Sequence, residues 1–545
     1  MLYYRHRKDV CFMKLREFLK NFFTRVKEGI SRYFIAFCCT VIMFGAETYT
    51  ILFHQPIGNI IGSISMTCIL VGFLSVLLKS IREYLTPKLN NLIQIIVCVV
   101  VAVIGFLLIY TNYHSNYMAM AYIGIMIALV CFIFFVLMRK DNRDAVFPKL
   151  VSSSMFASAI CIVLSIGISL CIGAFESLIF SWYDSYKLYL IINLLIWIVG
   201  FPNIFLSFVP KKDVLIPHSK IFKTFVLYAG LPLYILLIAI LLVYLGKIVV
   251  TWHMPVGEIN WFASFASLFF IFFVLSVMQY TEKLPKLFVK YGGYFLIPVL
   301  IMQAIAVFER INAYGLTTPR TISLVLIVIS ILFIGATIIK PKHINKIALA
   351  SGIIVLLVTV TPFNVIDMPV ASQTAILKNA LLKNDMIKDG IVVPNENVSE
   401  EDQETIRSSY HYLQYSAEKT PDFIPDSDKE FSEIFGFERY ANNNFSTFQY
   451  CSYETKKTVD ISAYDQMIKM TSNDVLSLEH NGQQYEINVE ELAQELYNQY
   501  GANQHEMELY KVNENVSLYF LHFSVELEND VVSYCNFNGY VFLKD

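Results

Sequence analysis

The sequence predicts a polytopic α-helical membrane protein of about eleven transmembrane helices, followed by a C-terminal α+β extracytoplasmic domain. Hydrophobic residues make up 56% of the 545 residues and aromatic residues 15%, which is more apolar surface than a soluble domain can bury. The net charge of -2 conceals an asymmetry, since residues 1–360 contain 30 Lys/Arg and 13 Asp/Glu, whereas residues 361–545 contain 12 and 31. Two parts in different surroundings account for this division.

The first 32 residues form a basic arm. Apolar residues recur at helical spacing through Phe12, Leu15, Leu19, Phe22 and Val26, and most of the basic residues fall between them. This pattern predicts an amphipathic helix, which either lies on the inner leaflet or packs on the bundle. The polar arm and the length of the following span are not those of a cleavable signal peptide.

Residues 33–361 form the predicted transmembrane bundle. Apolar runs long enough to cross about 30 Å of hydrocarbon lie at 33–53, 58–78, 92–110, 118–137, 153–172, 188–209, 225–245, 261–278, 293–308, 321–339 and 347–361. The last run is the shortest.

The loops between these spans alternate in charge. From the arm onwards, the Lys/Arg counts are nine, none, three, none, four, one, four, one, three, two and three. Because basic loops stay cytoplasmic, we expect a multi-pass protein of the cell membrane with its N-terminus in the cytoplasm. An odd number of spans then places the acidic domain, residues 362–545, outside.

Few ionisable residues lie within the spans, and such residues are functional candidates by default. Glu47 lies late in span one, and Glu309 and Arg310 lie at the outer end of span nine. The alternative is that all three reach interfacial water.

Three spans contain helix breakers, which are the sequence feature that favours transport. These are Gly200-Phe201-Pro202-Asn203 in span six, Gly230-Leu231-Pro232 in span seven and Pro298 in span nine. Transporters place substrates at broken helices, although proline and glycine also serve packing in membrane helices.

The outer loops contain histidines and tryptophans. His54, His114 and His253, with Glu258, lack the spacing of a ligand set, so we predict no metal site and no cofactor. Trp252 and Trp261 bracket a short turn, as expected of aromatic anchors at the headgroup interface.

From Pro362 the composition changes, and an α+β domain is predicted. Helices are expected at 371–386, at 399–415 after a capping pair of Ser399 and Asp402, at a short segment ending near Phe435, and at 489–499. Strands are expected at 446–454, 457–462, 464–470, 474–479, 483–488, 506–512, 516–526 and 531–543.

Cys451 and Cys535 lie in two of these predicted strands. An oxidising compartment would permit a disulfide between them, and two buried thiols are the alternative.

Motifs for ATP, dinucleotide or zinc-protease chemistry are absent from the sequence. Asp460 and Asp465 are the nearest approach to a carboxylate pair, and a role in a hairpin turn suits them better. The sequence therefore favours a protein that is not an enzyme, and an enzyme with a dispersed carboxylate or histidine site is the alternative.

Several segments resemble a bacterial family known only as domain of unknown function 4153. These are YYRHRKDVCFMK in the arm, GFPNIFLSFVPK at 200–211, YLGKIVVTWHMPVGEINWF at 244–262, ERINAYGLTTPR at 309–320, and QTAILKNALLKNDMIKDG and KTVDISAYDQM in the tail. The chain departs from the pattern at Thr321, where an aromatic residue is expected.

The resemblance implies a multi-span protein with an extramembrane C-terminal part, and it supplies no activity. It nominates Arg310, Tyr314, Gly315, Thr317 and Arg320 as a patterned segment. We interpret this segment as a structural clamp, in which Gly315 allows a tight turn and the arginines meet carboxylates such as Glu47 or Glu309. Binding of an anionic substrate is the second interpretation.

The first functional hypothesis is a non-enzymatic cell-envelope protein that displays an interaction or sensing domain. The second is a secondary transporter or permease, and the third is a membrane-embedded envelope enzyme. The expected partners are the lipid bilayer and an envelope protein or small-molecule ligand that the sequence does not identify, and no nucleic acid is expected.

Overall fold

The computed structural model describes most of the chain. It covers residues 2–53, 58–86, 90–138, 143–178, 184–212, 216, 219–251, 258–339, 343–417, 419–425, 430–439, 448–456, 458–472, 474–480, 482–500, 505–528 and 531–544. Side chains are outside the description for residues 2–15, 18, 143, 185, 258–259, 416, 448–450, 480, 483, 505–507, 528 and 531. Contacts divide the chain into two compact units, Met1–Phe437 and Glu438–Asp545.

The first unit is a helical bundle with ten described helices that are long and apolar enough to cross a membrane. Its helices are α1 Leu2–Arg32, α2 Phe34–Phe53, α3 Asn59–Tyr84, α4 Asn91–Thr111, α5 Asn116–Leu137, α6 Arg143–Leu178, α7 Ser185–Leu194, α8 Phe201–Ser207, α9 Lys220–Phe225, α10 Leu231–Thr251, α11 Glu258–Val277, α12 Lys283–Tyr314, α13 Thr318–Ile339 and α14 Ile344–Val360. The polytopic membrane fold is thereby confirmed.

α14 lies where the eleventh span is predicted. It is an apolar helix of 17 residues, which span roughly 26 Å at 1.5 Å per residue. It packs along α5, so it is part of the bundle and not a separate helix on its surface.

Two of the three predicted helix breaks are π-helical turns. Leu195–Gly200 joins α7 to α8 just before Pro202, and Val226–Gly230 joins α9 to α10 just before Pro232. A wider turn accommodates the ring and missing N–H of the following proline. α12 continues through Pro298.

The basic arm packs on the bundle. Gly29 of α1 lies so close to Ser207 of α8 that an added Cβ would come within 2.7 Å of the serine backbone. Phe22 and Val26 pack into a cluster with buried Ala157 and Ile204. Leu19 and Phe23, on the other side of α1, are exposed, so only one side of the helix is used for packing.

Residues 362–437, which the sequence groups with the tail, pack with the first unit. They form α15 Asp367–Lys383, a hairpin of β1 Ile387–Lys388 and β2 Ile391–Val392, α16 Glu400–His411 with a π-helical end Tyr412–Ser416, and α17 Phe431–Phe435. Ser399 caps α16 by accepting the Asp402 N–H at 3.3 Å, which confirms the predicted helix start.

The second unit is a sheet with one helix. Its strands are β3 Phe448–Thr455, β4 Gln466–Ser472, β5 Val475–His480, β6 Gln483–Asn488, β7 His505–Met507, β8 Tyr510–Lys511, β9 Val516–Glu528 and β10 Val531–Leu543, and its helix is α18 Val489–Tyr500. The main sheet has the order β4–β10–β9–β3–β7, with β8 beside β9, and β5 pairs with β6 separately.

Residues 457–462 do not form the predicted strand within the part of the segment that is described, 458–462. Asp460 accepts the Ser462 N–H on its own side chain at 2.9 Å. This local turn replaces the ladder hydrogen bonds that a strand needs. Asp465 donates its N–H to Leu543 O at 2.8 Å, at the start of β4.

Cys451 and Cys535 are buried, lie on opposite sides of β9 and are not joined by a disulfide. Both are aligned with Val525, one through the β3–β9 pairing and one through the β9–β10 pairing. Two strand spacings of about 4.8 Å each exceed the roughly 7 Å between Cα atoms that a disulfide can bridge. The structure therefore shows the buried-thiol alternative, and burial raises the pKa of Cys535 to about 11.

Candidate functional site

The segment between α12 and α13 is a tight turn against the tail. Gly315 ends α12 with φ +73° and ψ -178°, a conformation open essentially to glycine alone. A Cβ there would lie 2.2 Å from Ile376 Cδ1 and 2.9 Å from Gln373 Nε2. We call Gly315–Thr317 the docking turn.

α15 binds the docking turn through its side chains. Gln373 Nε2 donates to Tyr314 O at 2.8 Å and to Leu316 O at 3.0 Å. Leu316 N–H in turn donates to Ser372 Oγ at 3.1 Å. Gln373 is buried, so these bonds satisfy two carbonyls and one N–H that would otherwise lack partners.

A second tail segment binds the start of α13. Thr318 N–H donates to Tyr412 Oη at 3.1 Å, and the Thr318 hydroxyl donates to Val365 O at 2.8 Å. The start of α13 is thus hydrogen-bonded to Val365, which is 47 positions later in the sequence, and to Tyr412, which is 94 positions later. The patterned segment is therefore hydrogen-bonded to α15, to Val365 and to Tyr412.

Arg320 holds the docking turn from within α13. Its Nη1 donates to Gly315 O, and its guanidinium lies 5.8 Å from the centre of the Tyr314 ring. Among the described residues, no ion pair joins Arg310 or Arg320 to a carboxylate. The partners in this clamp are backbone and ring atoms, and not the carboxylates of Glu47 or Glu309.

The two arginines line one small pocket. It has a volume of about 250 Å³ and is lined by Asn260, Trp261, Ala306, Val307, Arg310, Thr317, Pro319 and Arg320. We call it the arginine pocket. Two guanidinium groups in one recess attract an anion, particularly where no described carboxylate neutralises them.

A buried polar network adjoins this pocket. Gln303 Nε2 donates to Asn260 Oδ1 and Ser264 Oγ, both at 2.9 Å. Asn260 Nδ2 donates to Ser323 Oγ at 3.0 Å. This network was not predicted from the sequence. The polar residues that lie within the apolar runs of α11, α12 and α13 are the signal that could have indicated it.

The remaining predicted site residues lie apart from the clamp. Glu47 accepts a hydrogen bond from Ser65 Oγ at 2.6 Å, and Glu309 is exposed on α12. Trp261 is 69% exposed and stacks on Phe265, in keeping with an interfacial anchor. Trp252 lies outside the described residues.

The histidines are not brought together where they can be located. His114 Nε2 lies 3.1 Å from Asn59 Oδ1, while His54, His253 and the side chain of Glu258 lie outside the described residues. Within the described part, no group of three or more His, Cys, Asp or Glu side chains is placed to hold a metal.

Charged residues also converge at the opposite end of the bundle. Arg32 Nε donates to Glu83 Oε1 and Oε2 at 3.1 and 3.2 Å, and its Nη1 and Nη2 donate to Val209 O and Pro210 O at 2.8 and 3.0 Å. A recess of about 670 Å³ opens here, lined by Glu28, Ser31, Arg32, Lys79, Glu83, Lys211 and Lys212. We call it the basic recess.

The two sites mark opposite ends of the bundle. The Lys223–Glu282 pair places the start of α9 beside the start of α12, and the Arg32-bound segment at Pro210 leads into α9. The docking turn lies at the other end of α12, whose 32 residues extend roughly 48 Å.

The comparisons with known proteins give one match. The family model described as "Domain of unknown function (DUF4153)" matches residues 63–387, more than half of the chain. Neither the curated proteins nor the solved structures gave a match. The matched range includes the bundle from α3 onwards, the docking turn and α15, and so the chain belongs to the DUF4153 family.

Proposed function

We propose that this protein is a non-enzymatic membrane protein of the cell envelope, whose bundle displays the C-terminal domain for interaction or sensing. The docking turn joins the membrane helices to the tail helices that precede residues 438–545 in the chain, because it ties the end of α12 and the start of α13 to α15 and Tyr412. An anionic ligand that acts as a signal would bind in the arginine pocket, beside the docking turn.

The observation that carries the proposal is the Gln373 contact. One buried side chain bonds carbonyls on both sides of Gly315, at 2.8 and 3.0 Å. The path of the turn therefore depends on the position of α15, and the position of α15 depends on the path of the turn. The turn also carries Thr317, which lines the arginine pocket together with Arg310 and Arg320.

We further propose that the N-terminus is cytoplasmic and the C-terminal domain extracytoplasmic. The support is the alternation of basic and charge-poor loops together with the acidic tail. Protease added to intact cells should remove the C-terminal epitope of the full chain. Removal only after the membrane is breached would overturn this orientation.

Secondary transport is the second candidate, and the π-helical turns before Pro202 and Pro232 are the observation in its favour. The cavity beside Pro202 opposes transport of a polar solute. Among the described residues that line it, none is charged, and Thr40 and Ser154 are its only hydroxyl side chains. A polar substrate would lose its hydration there without gaining partners.

The proposal is tested in a strain that lacks the protein, by measuring envelope stress and metabolite uptake. The strain is complemented with the full chain, with a chain ending at Phe437, or with Gln373→Ala. Since residues 438–545 form their own compact unit, the shortened chain should insert at normal level but leave envelope stress uncorrected. Gln373→Ala should give partial correction.

A Gln94→Ala variant serves as the control, because Gln94 is a buried glutamine whose side chain donates to Ser75 O at 3.2 Å, within the bundle. It should correct envelope stress as the full chain does. Full correction by the shortened chain would overturn the display function. Restored uptake of a polar metabolite by that shortened chain would favour transport.

A further inference from the structure

The membrane bundle contains a cavity that its own side chains leave open. It has a volume of about 550 Å³ and lies among α2, α3, α5, α6 and the segment from Trp197 to Val209. Its size falls in the range of ligand-binding pockets, roughly 300–1,000 Å³. The π-helical turn Leu195–Gly200 contributes Trp197 and Ile198 to one wall of the cavity.

The lining of this cavity suits hydrocarbon. Phe73, Met43, Ile133, Phe134 and Leu206 are representative of it. Thr40 is among the few polar residues, and its hydroxyl is satisfied by donating to Phe37 O at 2.8 Å and accepting from Asn203 Nδ2 at 3.2 Å. An apolar cavity of this kind does not hold ordered water, and the cost of leaving it empty rises with its volume.

The cavity and the basic recess follow one another along the same helix. Gly72, Phe73 and Val76 of α3 line the cavity, and Lys79 and Glu83, one and two turns further, line the recess. Val209 also lines the cavity, while its carbonyl accepts the Arg32 Nη1 hydrogen bond at 2.8 Å. A molecule with an apolar chain in the cavity would therefore carry its polar end to the recess.

The depth of the cavity fits one leaflet of a bilayer. Along α3 it extends from Cys68 to Val76, which is roughly 12 Å of helix rise. The hydrocarbon of a whole bilayer is about 30 Å thick, so the cavity spans most of one half. This length corresponds to the depth to which one acyl chain extends from the headgroup interface of its leaflet.

The recess supplies a net positive charge at that interface. Arg32, Lys79, Lys211 and Lys212 face two carboxylates, Glu28 and Glu83. Arg32 forms an ion pair with Glu83, and Lys211 forms an ion pair with Glu28 at 2.8 Å. Lys212 has no carboxylate partner among the described residues, and Lys79 has only the 3.8 Å contact with Glu83. Basic pockets between transmembrane helices are typical sites for anionic lipid headgroups.

We propose that the bundle binds an anionic phospholipid, with an acyl chain in the apolar cavity and the phosphate beside Lys79 and Lys212. Recognition thus combines hydrocarbon and phosphate chemistry in one ligand. The inference concerns the opposite end of the bundle from the docking turn and does not depend on the proposed function.

The first test uses the full chain purified in neutral detergent and three probes. Dioctanoyl phosphatidylglycerol has both parts of the ligand, dioctanoyl phosphatidylcholine has the chains without net charge, and glycerol 1-phosphate has the phosphate without chains. Binding is followed by the fluorescence of Trp197, with Trp197→Phe as the signal control. The phosphatidylglycerol should bind at least about tenfold more tightly than either other probe.

The second test separates the two parts of the site. Gly72→Leu should weaken phosphatidylglycerol binding about tenfold, because nothing lies within 4 Å of a Cβ at Gly72 and the side chain enters the cavity. Gly45→Leu is the matched control, since Gly45 is equally unobstructed and does not line the cavity. A double Lys79→Gln and Lys212→Gln variant should weaken the phosphatidylglycerol alone, and Lys27→Gln should not.

Equal affinity for the two phospholipids would overturn the headgroup assignment, and tight binding of glycerol 1-phosphate would identify a free-anion site instead. Unchanged affinity in Gly72→Leu would overturn the acyl-chain assignment. If Gly72→Leu does not purify as a single species, Gly72→Val replaces it. The three probes on the unaltered chain also test the proposal without any variant.

Discussion

The two ends of the membrane bundle hold their arginines by different chemistry. At the basic recess, Arg32 is nearly buried and meets the Glu83 carboxylate, together with two carbonyls. At the docking turn, Arg320 is bonded to the Gly315 carbonyl and lies against the Tyr314 ring. The first charge is neutralised within the protein, whereas the second is held in position without a carboxylate partner among the residues that the structure describes.

This difference separates a structural arginine from an available one. A carboxylate partner fixes a buried cation and removes its attraction for other anions. A carbonyl and an aromatic ring fix the cation and leave much of that attraction in place. The comparison therefore identifies Arg320 as a cation that lacks a carboxylate partner among the described residues, and it makes Arg32 a support for the recess that the lysines complete.

The largest effect should come from removing Arg32. Arg32→Gln leaves the carboxylate of Glu83 without its main partner, and breaking a largely buried pair in this way costs about 3 kcal/mol. Arg310→Gln should change stability by no more than about 0.5 kcal/mol. Thermal unfolding of both variants in detergent measures the contrast, and equal losses would break the comparison between the two ends.

The docking turn should respond next. Gly315→Ala forces a Cβ into a positive-φ turn and against Ile376, at a cost of about 2 kcal/mol. Gly335→Ala on α13 is the control, because Gly335 has open space and no such conformation. Limited proteolysis after α15 should accelerate in Gly315→Ala alone. Equal rates would show that the turn does not hold the tail.

The tail helices should loosen in acid. Lys383 donates to Asp402 at 2.9 Å and, with Asn384 and Ser399, lowers the pKa of that carboxyl below its ordinary value. A lowered pKa in the folded state means that the stabilisation is complete above the unfolded pKa and is lost as pH falls through the folded pKa. Proteolysis of α16 should therefore accelerate below about pH 4.

Asp402→Asn should remove most of this pH dependence, while Asp389→Asn, in the turn between β1 and β2, should retain it. An unchanged profile in Asp402→Asn would assign the acid response to another carboxylate. Asp367 is the alternative, because the hydrogen bond from Lys419 also lowers its pKa.

The smallest effect should come from the ring beside Arg320. Tyr314→Leu removes the cation–π contact at a partly exposed site and should cost about 0.5–1 kcal/mol. Tyr314→Phe keeps the ring and should unfold as the unaltered chain does. A loss in Tyr314→Phe of the same size would assign the effect to the hydroxyl and not to the ring.

Much of the fold could be predicted because its signals are local. Each transmembrane helix shows in its own run of apolar residues, and the cap of α16 shows in Ser399 and Asp402. The β1–β2 hairpin was missed because its strands have two residues each, although Asp389-Gly390, both at positive φ, is a turn signal. The strand predicted at 457–462 was lost to the side-chain turn at Asp460.

The candidate site was only partly predictable. Its residues, from Arg310 to Arg320, could be nominated by resemblance, and a clamp could be inferred from Gly315. Its partners could not, because Gln373 and Tyr412 bear no sequence relation to the turn. The expected carboxylate partners are not used. In the basic recess, the sequence indicated a basic end but not the Arg32–Glu83 pair.

The sequence by itself determined that this chain crosses a membrane many times, where it does so, and which parts are basic or acidic. These follow from the length and composition of each segment, because a lipid-exposed backbone must satisfy its hydrogen bonds within its own helix. Tertiary structure alone decided which segments meet. It placed Gln373 against the docking turn, Val525 between two cysteines, and the basic recess beyond an apolar cavity, because these contacts join residues far apart in the chain.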